Sequence, residues 1–118
     1  MKLKEVLLEN MMDNLLDLCQ QELQLDDMPH IELVDEPAVG GGTSFGQFSN
    51  DGIQVVTKDR HPVDVMRTVA HELVHHKQRL AGQQMDGADG SDTENQANAV
   101  AGVILRKFGK KFPECFVL

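Results

Sequence analysis

The pentapeptide His-Glu-Leu-Val-His at residues 71–75 is the feature that most constrains the fold of this chain. It lies in a stretch that opens at Pro62, a residue favoured in the first turn of a helix, and closes at Gly82, a residue favoured just after one. Histidines four positions apart project from one face of a helix. His71 and His75 are therefore predicted to bind one metal ion together, and the fold must leave that face open to the metal.

The predicted helix, from Pro62 to about Ala81, divides into two faces at about 100° per residue. One face is an apolar arc formed by Val63, Met66, Val69, Ala70, Leu73, Val74 and Leu80. His71 and His75 lie nearly opposite this arc, in a polar stripe. This separation favours metal binding over a surface helix that carries two solvated histidines.

A third ligand is needed, because a catalytic zinc usually has three protein ligands and one open position. Gln78 and Ala81 stand where the metzincin pattern requires glycine and histidine, so that pattern is excluded. The best candidate is Glu94, nineteen residues after His75. It heads an inward-facing stripe of a last helix, which continues through Ala97, Asn98, Ala101, Leu105 and Phe108.

Other roles for this segment stay open at the level of sequence. Ser91 and Glu94 have the spacing of a capping box, in which the carboxylate turns back to the start of its helix. Asp92 or another loop aspartate is an alternative third ligand. A site with only two protein ligands is a further alternative. Asn98, one turn after Glu94, is a candidate to accept the remaining ring N–H of a ligating histidine. An equally simple interpretation is that the amide of Asn98 is buried in the core and hydrogen-bonded there.

Glu72 is predicted to act as a base rather than a ligand. It follows His71 directly and lies beside the coordination position that the protein leaves open. A carboxylate there is placed to take a proton from a water molecule that the metal activates. Two histidines and a carboxylate suit Zn²⁺ well.

The rest of the chain predicts an α+β fold with the 118 residues in a single domain. Apolar residues at three- and four-residue intervals predict an N-terminal helix over residues 2–24. Short β-rich runs predict strands at residues 30–35, 43–49 and 53–57, the last two joined by a hairpin around Asn50-Asp51-Gly52. We expect these three strands to form a small, mainly antiparallel sheet. A final helix is expected to begin at residues 91–94 and to end at Gly109.

Two motifs together, His71-Glu72-Leu73-Val74-His75 and Glu94-Asn95-Gln96-Ala97-Asn98, resemble those of the gluzincin clan of zinc metallopeptidases. Within the clan the chain is similar to the minigluzincins, and its E-x-x-A-N run also resembles peptidases of the ImmA/IrrE type. The resemblance extends over about residues 43–109. It implies hydrolysis of peptide bonds, with His71, His75 and Glu94 on zinc and Glu72 as base. It also implies that a strand at the cleft rim, either 43–49 or 53–57, pairs with an extended peptide or protein substrate.

Charge and cysteine content restrict the partners further. The net charge is −8, from 11 basic and 19 acidic residues, which argues against nucleic acid or an acidic membrane surface as the main partner. Cys19 and Cys115 lie nearly a chain length apart, which favours a reducing, cytoplasmic setting over a disulfide framework. Charged residues interrupt the N-terminal segment, so no signal peptide or membrane span is predicted. We expect a monomer or a small homo-oligomer.

Two alternatives to an active peptidase follow from the same residues. One is a non-catalytic zinc protein with a regulatory or structural role, encoded for example by a phage or mobile element. The other is a latent peptidase whose apolar tail, residues 112–118, lies in the cleft with Cys115 or Glu114 on the metal. Latency through a C-terminal segment is a property that the resemblance to minigluzincins suggests. The simpler hypothesis is that the tail packs as a final strand or against the first helix.

Deletion of residues 112–118 distinguishes these hypotheses for the tail. If the tail is part of the core, its removal costs a few kcal/mol of apolar burial, so we expect a lower melting temperature and no gain in peptide cleavage. Paired melting and cleavage measurements on the full and truncated chains test this. A stable truncated chain with higher activity would instead identify the tail as an inhibitory plug.

Overall fold

A computed structural model describes residues 3–35, 46–49, 52–82 and 92–113 of the chain. The elements in chain order are α1 (Leu3–Leu23), β1 (Ile31–Val34), β2 (Gly46–Ser49), β3 (Gly52–Val56), α2 (Pro62–Leu80) and α3 (Asp92–Lys111). The predicted α+β class is confirmed. Three earlier predictions concern Ser91, Cys115 and the tail beyond Pro113, which lie outside the described residues. None of the described helices is both long and apolar enough to cross a membrane.

The described strands form a mixed sheet in the order β1-β3-β2. β2 pairs with β3 in the antiparallel direction, with Ser49 opposite Gly52, as the hairpin prediction required. β1 pairs with β3 in the parallel direction, with Ile31 opposite Ile53. The prediction of a mainly antiparallel sheet is therefore wrong for β1. The physical reason is that the hairpin occupies one edge of β3, and β1 adds to the other edge in the same direction as β3.

Gly52 lies where β1 and β3 approach each other most closely. Its φ angle is +124°, a region that residues with a side chain rarely adopt. A Cβ atom at this position would lie 2.4 Å from the carbonyl oxygen of His30. The next residue, Ile53, donates its N–H to the same carbonyl at 2.8 Å. Glycine is thus required for the backbone of β3 to reach the start of β1.

The start of α2 is fixed by two side chains that precede it. His61 is the N-cap residue, and its Nδ1 accepts a hydrogen bond from the backbone N–H of Val63 at 3.1 Å. Arg60 donates through Nε to the Asp64 carboxylate at 2.8 Å and through Nη1 to the carbonyl of Val56. These bonds join the last residue of β3 to the first turn of α2, and so set the direction in which α2 leaves the sheet.

α2 ends at Leu80, in agreement with the predicted end at about Ala81, but two other predictions for the site-bearing helices are wrong. Leu80, assigned to the apolar arc, has 66% of its surface exposed, because the last turn of α2 borders an open groove beside Gln24–Asp27. α3 continues through Gly109 to Lys111, so the predicted stop at Gly109 is wrong. Gly109 is buried, and packing of its helix outweighs the weak helix propensity of glycine.

The beginning of the predicted tail packs against the core. Phe112 donates its backbone N–H to the carbonyl of Phe108 at 2.8 Å, and the two rings lie 4.9 Å apart between centroids. Phe112 is partly buried against the core. Phe112 therefore packs at the end of α3, while the choice between a packed tail and an inhibitory plug concerns residues outside the described part of the chain.

One hydrophobic core joins the three helices to β3. The apolar stripe predicted for α1 is buried from residue 11 onward, at Met11, Leu15, Leu18, Cys19 and Leu23. The central strand adds Ile53 and Val55, and α2 adds Val65, Met66, Val69, Ala70 and Leu73. α2 is therefore held between α1 and the sheet on its apolar side, which leaves its histidine-bearing side to face α3.

Substitution of two glycines by alanine tests this account. Gly52→Ala is expected to lower the free energy of unfolding by about 1–3 kcal/mol, because it combines a strained φ with a backbone clash. The matched control is Gly102→Ala in α3, where nothing lies within 4 Å of the added Cβ. That change is expected to raise stability by about 0.5–1 kcal/mol, because alanine favours the helix. Urea unfolding of both variants measures the difference, and equal stabilities would contradict the account.

Candidate metal centre

Three side chains predicted as metal ligands converge in the structure. The Nε2 atoms of His71 and His75 lie 3.1 Å apart. Glu94 places Oε1 2.8 Å from Nε2 of His75, and Oε2 3.3 Å from Nε2 of His71. No other group of three such side chains in the described part of the chain has the geometry to hold a metal ion.

Two helices supply these three groups, and small apolar residues let the helices approach. On α3, Thr93, Ala97, Ala101, Leu105 and Phe108 are buried, so the inward stripe predicted to begin at Glu94 faces the core. On α2, Leu73 and Val74 are buried between the two histidines. In this part of α2, the side that carries Leu73 and Val74 therefore packs into the core. The side that carries the histidines lies against the start of α3.

Burial makes the centre a partly enclosed site. The side chains of His71, His75 and Glu94 are 19%, 6% and 21% exposed. His75 is therefore largely buried, although helical periodicity predicted only that both histidines lie on the polar side of the helix. The two rings are almost perpendicular, with an interplanar angle of 87° and centroids 4.6 Å apart. The Nε2 atoms of the two rings face each other, and His71 and Glu94 are the more exposed members of the cluster.

The donor set can accept a positive species between its members. Unprotonated imidazole nitrogens and carboxylate oxygens all carry lone pairs, so groups that converge within about 3 Å need either a ring hydrogen or a cation between them. Ligands at about 2.0–2.1 Å from a tetrahedral zinc lie about 3.3 Å from one another. The observed separations of 2.8–3.3 Å are comparable with that value. The three residues therefore fit a divalent metal ion of the zinc type.

Glu72 lies in the turn that carries the two histidines, and it is buried, with 8% of its surface exposed. Burial raises the pKa of its carboxyl above the usual value, and the nearby Glu94 charge acts in the same direction. His71, His75 and Arg79 lower the pKa but do not offset the effect of burial. A carboxyl group in this position can bind and release a proton.

Gln78 is a residue of the centre that the sequence analysis did not identify. It is 1% exposed, and its Oε1 lies 2.8 Å from Nδ1 of His75. Its Nε2 donates to the carbonyl of Thr93 at 3.0 Å and to Oε1 of Gln96 at 2.7 Å. The available signal was its position three residues after His75, on the same helical face, where i,i+3 side chains meet.

Asn98 does not occupy the position predicted for it. It is exposed, and among the described residues no hydrogen bond joins it to His71 or His75. The ring N–H of His75 is directed at Gln78 instead. The reason is geometric: α3 turns its buried face toward α2 through Thr93, Ala97 and Ala101, so Asn98 points away from the histidines.

Comparison with known proteins identifies no relative of this chain. No protein-family model, curated protein or solved structure matches the chain. The account of the centre therefore depends on the chain's own residues and their geometry.

Proposed function

We propose that this protein is a zinc-dependent peptidase of the gluzincin type. The observation that carries the proposal is the convergence of His71, His75 and Glu94 from two helices onto one point. Imidazole and carboxylate are ligand types that zinc favours, and three of them leave one position for water and substrate. The buried Glu72 beside this point supplies the base that hydrolysis needs.

In the proposed reaction each residue has one task. Zinc, when bound, polarises the carbonyl of the scissile bond and acidifies the attacking water. His71, His75 and Glu94 would hold that ion. Glu72 accepts a proton from the attacking water and then passes it to the nitrogen of the departing amine. A carboxylate can perform both steps, because it first accepts a proton and then donates it.

The edge strand β2 is the proposed docking site for the substrate backbone. Both edges of β3 are already paired, by β1 and by β2, so Ile53–Thr57 is excluded as the receiving strand. β2 packs against α2, and among the described strands none pairs with its outer edge. An extended peptide that adds to this edge would run alongside the helix that carries His71 and His75.

The proposed setting is the cytoplasm, with peptides or proteins as partners. Cys19 is buried and unpaired with another cysteine, as a reducing compartment allows. The net charge of −8 disfavours nucleic acid and acidic lipid. A zinc protein without hydrolytic activity is the alternative, and the experiments below separate the two.

We expect the purified protein to hold about one zinc ion per chain. His71→Ala, His75→Ala and Glu94→Ala should each lose most of the metal, because each removes one of three donors. His30→Ala is the matched control, since His30 is exposed and lies outside the cluster. Metal analysis after gel filtration makes the measurement. Full stoichiometry in a double His71→Ala, His75→Ala variant would place the metal elsewhere.

Glu72→Gln is expected to keep the fold and the zinc but to lower peptide cleavage by about 10²–10⁴-fold, because the attacking water loses its base. Glu9→Gln, a change at an exposed residue of α1, serves as the control. Cleavage of a mixed peptide library by the zinc-loaded proteins is the measurement. A parent protein that binds zinc but cleaves nothing would favour the non-catalytic alternative. A Glu72→Gln variant within tenfold of an active parent would refute the role of Glu72.

A further inference from the structure

Gln78 connects the two helices of the metal centre. Its side chain is almost completely buried, with 1% exposed, and every polar atom of its amide has a partner. One end of the amide contacts the ring of His75, and the other contacts the backbone of Thr93 and the side chain of Gln96. A buried amide with this many partners is costly to replace, because an apolar substitute leaves them unsatisfied.

The carbonyl of Thr93 determines which way the amide of Gln78 points. A backbone carbonyl only accepts hydrogen bonds, so the group 3.0 Å from it must be the NH₂ of Gln78. The opposite orientation would direct Oε1 of Gln78 at a second acceptor. Oε1 must therefore face Nδ1 of His75, at 2.8 Å.

The orientation of the amide in turn determines the tautomer of His75. Oε1 of Gln78 can only accept, so Nδ1 of His75 carries the hydrogen and donates it. In neutral imidazole the other nitrogen, Nε2, then has a free lone pair. That nitrogen is the one that lies 3.1 Å from Nε2 of His71 and 2.8 Å from Glu94. A backbone carbonyl on α3 thus selects, through Gln78, the form of His75 that binds a metal.

The same bonds hold Glu94 in place. Thr93 directly precedes Glu94, and Gln96 follows it within the first turn of α3. Gln78 therefore fixes the backbone on one side of the third ligand and a side chain on the other. Gln78 on α2 thus orients His75 on its own helix. It also holds the first turn of α3, which carries Glu94.

We propose that Gln78 is a positioning residue that selects the Nε2-binding tautomer of His75 and fixes the turn of α3 that carries Glu94. This inference rests on the proposed zinc site. Loss of a partner that orients a ligating histidine typically lowers metal affinity by about 10–100-fold. We expect a decrease of that size when the amide of Gln78 is removed.

The test compares Gln78→Met with Asn98→Leu in the full-length protein. Methionine keeps the length and much of the volume of glutamine but provides no comparable hydrogen bonds, and leucine does the same for asparagine. Zinc affinity is measured by competition with a chromophoric chelator. We expect about a 10–100-fold loss for Gln78→Met and a change below threefold for Asn98→Leu. Equal affinities in the parent and Gln78→Met, or the larger loss in Asn98→Leu, would overturn the proposal.

A spectroscopic measurement on the parent protein separates positioning from packing. In the zinc-loaded parent, ¹⁵N–¹H correlation of the histidine rings should show His75 with its hydrogen on Nδ1 and the metal on Nε2. This signal does not depend on any variant folding. Zinc bound through Nδ1 of His75 would overturn the inference while leaving the zinc site intact. A parent protein that binds no zinc would refute the proposed function itself, together with the inference that rests on it.

Discussion

The candidate site depends on the packing of α2 against α3. Two ligands come from the first helix and one from the second, so no single element holds the centre. Small buried residues on α3, Ala97 and Ala101, let the helices approach. This apolar contact brings His71 and His75 on one helix close to Glu94 on the other. The geometry of the candidate site therefore depends on the same packing that stabilises the fold.

The remaining elements pack against the side of α2 that faces away from the candidate site. α1 and the central strand β3 cover its apolar side, so packing on that side fixes the orientation of the face that carries the histidines. Lys107 and Glu22 join α3 to α1 by an ion pair of 2.8 Å, but its exposure limits its contribution to about 1 kcal/mol or less. Cys19 is part of this support and not a competing ligand. Burial, and then the charge of Glu22, raises the pKa of its thiol to about 12, so it remains protonated.

Helical periodicity explains why the ligands could be predicted from sequence and other features could not. The spacing of His71 and His75, and the inward stripe that begins at Glu94, follow from local geometry alone. The parallel pairing of β1 with β3 does not, because strand order depends on contacts between distant segments. The role proposed for Gln78 could not be inferred either, because the spacing of a glutamine three residues after a histidine does not say whether that face is buried. The proposal depends on the contact of its amide with Thr93, a residue of a different helix.

The two glutamates of the site have different environments, which supports different roles. Both oxygens of Glu94 lie close to histidine Nε2 atoms, as the proposed role of this carboxylate as a metal ligand requires. Glu72 is buried beside it, and the negative charge of Glu94 adds to the effect of burial in raising the pKa of Glu72. A bound dication would act in the opposite direction, since a nearby positive charge favours the ionised carboxylate. A cation held by His71, His75 and Glu94 would thus also keep Glu72 deprotonated and able to accept a proton. In the proposed peptidase, the ability of Glu72 to accept a proton would therefore depend on metal binding at the neighbouring site.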